Sequence, residues 1–219
     1  MKQFAIIGMG RFGASIAKTL YSLGHDVLAM DADEERIEEV SDYVTHAVVG
    51  NATDEQTLTA LGFRNFDVAV VTIGGDLQSS ILVCLLCKEL GVKSVLAKAQ
   101  NELHARVLRK IGVDKVVFPE RDMGMRLAHN LVSSNILDFI ELSNDHSLVE
   151  INAHESWQGK SLKDLNMRVN YGVNVMAIKH DGAINISPRG EDIVDRDDTL
   201  VVIGANDDIR RLEARAEKK

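Results

Sequence analysis

From Phe4 to Phe118, short runs of apolar, strand-favouring residues alternate with stretches whose apolar positions recur every three or four residues. The runs are FAII, DVLAMD, HAVVG, VAVVTIG, SVLAK and KVVF; the helical stretches between them are Phe12 to Leu23, Glu34 to Val40, Asp54 to Leu61, Leu77 to Leu90 and Glu102 to Ile111. Strands separated by helical crossovers lie parallel, so the pattern predicts an α/β fold with a doubly wound parallel sheet. Gly24, Gly62, Gly91 and Gly112 each follow a helical stretch, where a left-handed C-cap suits glycine.

After Pro119 the pattern changes. One amphipathic stretch, Glu120 to Ser133, precedes ILDFIEL and HSLVEIN, two strands joined by the turn-like Ser143-Asn144-Asp145. A short helix follows near Ser161 to Leu165. VNVMAIK and AINIS are separated by His180-Asp181-Gly182, and an Asp-Gly between alternating runs signals a hairpin. The strand TLVVIGA and a charged helix from Asp207 close the chain. The expected division is a nucleotide-binding domain over 1–120, a crossover helix or hinge over 121–134, and a smaller α+β domain over 135–219.

A chain of 219 residues, 45% apolar and 26% charged, has material for two cores. Its longest apolar run, ILVCLL at 81–86, falls far short of the roughly 18 residues of a membrane span, and the start lacks a signal-peptide pattern. Two cysteines give no disulfide framework, so an intracellular, soluble protein is expected. A net charge of -8, with no basic run longer than Lys218-Lys219, argues against nucleic acid as partner and leaves membrane contact to a protein partner.

The segment FAIIGMGRFGASIAKTL places Gly8, Gly10 and Gly13 in G-x-G-x-x-G spacing between a strand and a helix. One glycine makes the turn, the next admits a pyrophosphate to the backbone, and the third lets helix and strand pack. Asp31 ends the second strand, where an acid accepts bonds from ribose hydroxyls and repels a 2′-phosphate. Together these make the sheet Rossmann-like. Further candidate contacts stand at later strand ends: Asn51-Ala52, Ile73-Gly74-Gly75 and Lys98-Ala99-Gln100, with Lys98 the foremost.

Other reactive-looking residues carry less. Cys84 and Cys87 sit inside an apolar helix rather than at an activating helix start. The seven histidines show no zinc-ligand spacing, and His104 faces either the nucleotide or solvent. Trp157 is expected to anchor the second core. An oxidoreductase would need a proton donor and a carboxylate-binding cation over the nicotinamide, and no such constellation stands out; NAD-dependent oxidoreductase and NADH-sensing regulator remain the alternatives.

The segments KQFAIIGMGRFGASIAKTL, MDADEE, THAVVGNATD, VVTIGG, VLAKAQNELHARVLRKIGVDKVVFPERDMG and LNMRVNYGVNVMAIKHDG together resemble the RCK family, also called KTN, over nearly the whole chain. The likeness is to its branch of cytosolic regulatory subunits of Ktr potassium uptake systems. This resemblance implies a homo-octameric ring, a tetramer of dimers, docked on a membrane potassium channel of the KtrB or KtrD type. The protein would then be cytoplasmic and peripheral on the inner face of the cell membrane. It implies that ATP favours conduction, ADP closes it, and NAD(H) is a further possible occupant. Gly8, Gly10, Arg11, Phe12, Gly13, Asp31, Ala32, Asp33, Asn51, Ala52, Ile73, Gly74, Gly75, Lys98, Ala99, Gln100, His104 and Glu120 match the family's nucleotide site. Arg11 matches the arginine at the terminal phosphate, and Glu120 a glutamate that assists Mg²⁺ or Ca²⁺. In the C-terminal domain Leu162, Met167, Arg168, Val173, Asn174 and Pro188 match an inter-subunit pocket for cyclic di-AMP, an inhibitor of transport. The plainer reading of Arg168 is a surface ion pair.

Overall fold

A computed structural model describes residues 1–132, 136–143 and 145–216. The chain divides into two compact units, Met1–Glu120 and Arg121–Lys219. The predicted helix end at Ser133, the turn residue Asn144, the boundary at 134/135 and the Lys218-Lys219 pair lie outside the described residues.

The first unit runs β1 (Gln3–Ile7), α1 (Arg11–Ser22), β2 (Asp26–Asp31), α2 (Glu34–Glu38), β3 (His46–Val49), α3 (Glu55–Ala60), β4 (Val68–Val71), α4 (Leu77–Glu89), β5 (Ser94–Lys98), α5 (Glu102–Lys110) and β6 (Lys115–Val117). All strand pairings are parallel, in the order β3-β2-β1-β4-β5-β6. The expected Rossmann-like sheet is therefore present. Its apolar runs are buried on both faces: Ile7, Met30 and Val71 lie in one core with Val83, Cys84 and Cys87 of α4, and Ile6, Val27 and Val70 in another with Ala17 of α1. Cys84 and Cys87 are core residues whose thiols burial pushes up, Cys87 to about 12. The four predicted glycine caps all have positive φ, between 73° and 88°.

The second unit holds β7 (Ile136–Ser143), β8 (His146–Asn152), α7 (Leu162–Leu165), α8 (Met167–Tyr171), β9 (Val173–His180), β10 (Ala183–Asn185), β11 (Thr199–Ala205) and α9 (Asn206–Ala216). The unit begins within α6 (Pro119–Val132), which opens on the proline whose fixed φ suits a first helical position. The sheet is antiparallel, ordered β10-β9-β11-β8-β7. Asp181 and Gly182 take φ of 45° and 79°, the paired positive values of a type I′ turn, so the β9–β10 hairpin forms where Asp-Gly marked it. β10 stops at Asn185, short of the predicted AINIS run. The helix α8 was not read from the sequence: Asn166 at φ 43° ends α7 and starts α8. Trp157 anchors this core as expected, its Nε1–H donating to Tyr171 Oη at 3.2 Å.

Candidate nucleotide site

Strand order reverses beside β1, so the loops leaving the carboxyl ends of β1 and β4 flank the crevice where open α/β sheets hold ligands. Gly8 turns the chain out of β1 at φ 97°, a left-handed geometry costly for a side chain. A Cβ on Gly8 would meet Ile73 N and Thr72 Oγ1 at 3.1 Å, and one on Gly13 would run into the Gly8 carbonyl and stand 2.5 Å from Thr72 Oγ1. Gly10 differs, because no atom of the described residues lies within 4 Å of a Cβ built there. The outer glycines thus close the loop against β4 while the middle one faces open space, as pyrophosphate binding requires.

Gly10 is also the N-cap of α1 and supplies no side-chain bond, whereas Asp54, Asp76 and Asn101 cap α3, α4 and α5 with their own oxygens. The first-turn N–H groups around Arg11, Phe12 and Gly13 are left for an anion. Thr72 was missed by the sequence reading. Its buried hydroxyl lies 2.6 Å from the Gly8 carbonyl oxygen and holds the loop on β4; the available signal was a hydroxyl ending the apolar run VAVVT.

Asp31 accepts the Met9 N–H on Oδ2 at 2.5 Å and the Asp33 N–H on Oδ1 at 3.0 Å, with Arg36 Nη1 at 3.7 Å. Each carboxylate oxygen retains a lone pair for a ribose hydroxyl, so the acid both shapes the glycine loop and remains an acceptor. Ala32 is exposed, and Asp33 caps α2 by accepting the Glu35 N–H. At the end of β3, exposed Asn51 folds its own loop by accepting from Thr53, while Ala52 is buried.

The charged side of the crevice is built from β5 and the start of the helix over Pro119–Val132. Lys98 is 14% exposed and its Nζ is ion-paired to Glu120 Oε1, whose side chain is 71% exposed. The Lys98 ammonium holds the Glu120 carboxyl below its ordinary range, and the positive charge of Arg11 adds to this. Nζ stands 3.7 Å from a Cβ built on Gly74, and Gln100 Nε2 donates to the Gly74 carbonyl, so Gly74, Lys98, Gln100 and Glu120 are brought together. Ile73 is partly buried, Gly75 exposed and Ala99 buried.

His104 is not a solvent-facing residue: it is 1% exposed and burial pulls its pKa below the usual value. Its backbone N–H is held by the Asn101 cap, Nδ1 accepts the Gln100 N–H at 3.4 Å, and the buried Nε2 has no hydrogen-bond partner among the described residues. With Nδ1 accepting, Nε2 carries the proton of the neutral ring.

In the second unit Met167 and Val173 are core residues, with Leu162 packed against that core; Arg168 and Asn174 are exposed and Pro188 half-buried. Arg168 makes no ion pair among the described residues, so the ion-pair reading finds no partner.

A nucleotide-type crevice in one unit and a small antiparallel unit after it define a pair of domains with known relatives. The TrkA-N domain family matches residues 4–119 and the TrkA-C domain family residues 147–216. The Ktr system potassium uptake protein C of Bacillus subtilis (strain 168) is 50% identical over 214 residues, covering 98% of this chain and 97% of that protein. Protein A of the same organism's Ktr system is 48% identical over 212 residues, 97% of this chain and 96% of its own. The chain belongs to the KtrA/KtrC-type branch of the RCK family, regulatory subunits of Ktr potassium uptake and not enzymes. Among solved structures, the GsuK RCK domain superposes with a TM-score of 0.71 at 19% identity over 99% of this chain and 48% of that one. The GsuK channel bound to NAD gives 0.69 at 18% over 99% and 40%. This chain spans half or less of those GsuK chains, and the likeness shows a shared fold. No described helix is long and apolar enough to cross a membrane.

Proposed function

We propose that this chain gates a membrane potassium channel subunit of the KtrB or KtrD type according to the nucleotide it holds. ATP with a divalent cation favours conduction, ADP closes the channel, and cyclic di-AMP in the C-terminal domain inhibits. The observation that carries this reading is the convergence, at one crevice, of an open glycine backbone, the uncapped start of α1, Arg11, Lys98 and Glu120. That crevice offers fixed donors for a diphosphate and two cationic side chains for a further phosphate. Glu120 fits a hard cation as one carboxylate oxygen beside phosphate oxygens and water, the ligand set Mg²⁺ usually takes. Asp31, with a lone pair left on each oxygen for a ribose hydroxyl, suits ATP, ADP and NAD(H) alike.

In this reading the nucleotide site comprises the eighteen matched residues from Gly8 to Glu120, residues 121–134 are the crossover, and residues from about 135 form the ligand-binding and dimerisation domain. The assembly is an octameric ring of four dimers on the cytoplasmic face of the membrane, with no nucleic-acid partner. Phosphate count can bias such a ring only through unequal affinity for its two states. Calorimetric titration of the purified chain with ATP, ADP and NADH, each with and without Mg²⁺, tests this. ATP and ADP should bind in the micromolar range or tighter, with Mg²⁺ strengthening ATP alone. NADH binding without ATP binding would make the chain an NADH sensor instead.

A further inference from the structure

A second chemistry-bearing cluster lies in the C-terminal unit, in that unit's own sheet and loops. β9 and β11 pair antiparallel with Thr199 opposite Lys179, so the next position outward sets His180 opposite Asp198. His180 Nδ1 lies 2.6 Å from Asp198 Oδ1, and Asp198 Oδ2 accepts the Asp195 N–H at 2.8 Å. The backbone around the acid is fixed as well: its carbonyl accepts the Ala153 N–H at 2.8 Å, and its N–H donates to the Asp195 carbonyl at 3.3 Å. One ligand-capable atom from each of His180, Asp195 and Asp198 falls within 4.8 Å of the other two.

The charge of this cluster is unbalanced. Asp198 is 3% exposed, and its side chain meets no lysine or arginine among the described residues; His180 is the partner that can carry positive charge. A buried carboxylate needs a cation, and here the imidazole supplies it only when protonated. The other charges nearby are mostly acidic: Asp181 Oδ2 is 3.8 Å from His180 Nε2, and Asp195 stands on the loop that leads into β11.

We propose that His180, Asp195 and Asp198 form a divalent metal site at the β9–β11 end of the C-terminal sheet. One imidazole nitrogen with two carboxylate oxygens is the donor set of a first-row transition ion such as Zn²⁺, Co²⁺ or Ni²⁺, with water completing the shell. Ca²⁺ and Mg²⁺, which take oxygen ligands, are the wrong class. The ion occupies the place of the proton between His180 and Asp198, neutralises the buried carboxylate and fastens the loop at Asp195 to the sheet. The three donors come from positions 180, 195 and 198, a spacing that matches no zinc motif and becomes a cluster only through the β9·β11 register.

The test uses the full chain, nucleotide-free and stripped by chelator, titrated with Co²⁺ by visible absorption and with Zn²⁺ by calorimetry, with Ca²⁺ and Mg²⁺ as controls. Wild type should bind one Co²⁺ or Zn²⁺ per chain at micromolar affinity with a rise in thermal midpoint, unaffected by millimolar Mg²⁺. His180→Gln and Asp195→Asn should each weaken binding at least tenfold. Asp195→Asn leaves the His180–Asp198 pair in place and so keeps the question answerable if His180→Gln misfolds. Undiminished Co²⁺ binding in Asp195→Asn, or no wild-type binding below millimolar, overturns the site.

Discussion

Replacing Gly10 and Gly13 separately by alanine divides the two jobs of the glycine loop. At Gly13 the new methyl would overlap the Gly8 carbonyl and stand 2.5 Å from Thr72 Oγ1, both fixed by β1 and β4. Overpacking of this kind costs about 1–3 kcal/mol, and the gain of about 1 kcal/mol from Gly to Ala inside a helix offsets part of it. The relief would have to come from α1 moving off the sheet, because the overlap is with backbone, so the cost sits at the upper end of that range and a net loss of about 1–2 kcal/mol is expected. In a unit of this size that lowers the midpoint by roughly 4–8 °C. At Gly10 the methyl meets nothing within 4 Å and φ is −66°, so the fold has no quarrel with it. Alanine is a poorer N-cap than glycine, but it also restricts the unfolded chain; the two effects are each under about 1 kcal/mol and opposed. Stability should stay within about 0.5 kcal/mol of wild type, while ATP and ADP, whose pyrophosphate needs that space, bind at least tenfold more weakly. Urea unfolding and calorimetry on both variants decide the matter. A Gly10→Ala protein that binds ATP like wild type, or a Gly13→Ala protein equally stable, would refute this account of the loop.

Asp31→Ala should weaken ATP, ADP and NADH together in calorimetry, since it removes the ribose acceptor and the anchor of the Met9 N–H, whereas Arg11→Ala should chiefly erase the difference between ATP and ADP. Glu120→Gln keeps the size and loses the anionic ligand, so nucleotide should still bind while potassium flux in reconstituted vesicles stops responding to Mg²⁺. Arg168→Ala should abolish cyclic di-AMP binding without changing the oligomer seen by light scattering. Asp114 accepts the Val95 N–H at 2.7 Å and pairs with Lys88 at 3.0 Å, and these bonds hold its carboxyl below the usual carboxylate range. Because the folded pKa is depressed, this stabilisation is complete above the unfolded value and fades as pH falls through the folded one. Asp114→Asn should cost about 1 kcal/mol at neutral pH, after allowance for solvent screening, and the two urea-unfolding curves should converge in acid.

What was legible in the sequence follows from which interactions are local. The strand and helix alternation, the glycine exits and the Asp-Gly hairpin each depend on a few consecutive residues, and all stand where the pattern put them. The Asp33, Asp54, Asp76 and Asn101 caps are equally local. The α7–α8 joint escaped because Asn166 adopts a left-handed conformation that no periodicity announces. The site was legible only as far as strand ends could be counted. Counting puts Asp31, Gly74 and Lys98 on one rim of the sheet, because in a parallel sheet every carboxyl end points the same way. It does not say that Thr72 ties down Gly8 across 64 residues, nor that Lys98 reaches Glu120 across 22, for those depend on which strands are neighbours. His104 shows the limit most sharply. Its position on a helix beside Gln100 allowed either solvent or ligand, and the deciding fact is tertiary: on an α5 that packs against α4, the folded unit leaves the residue 1% exposed.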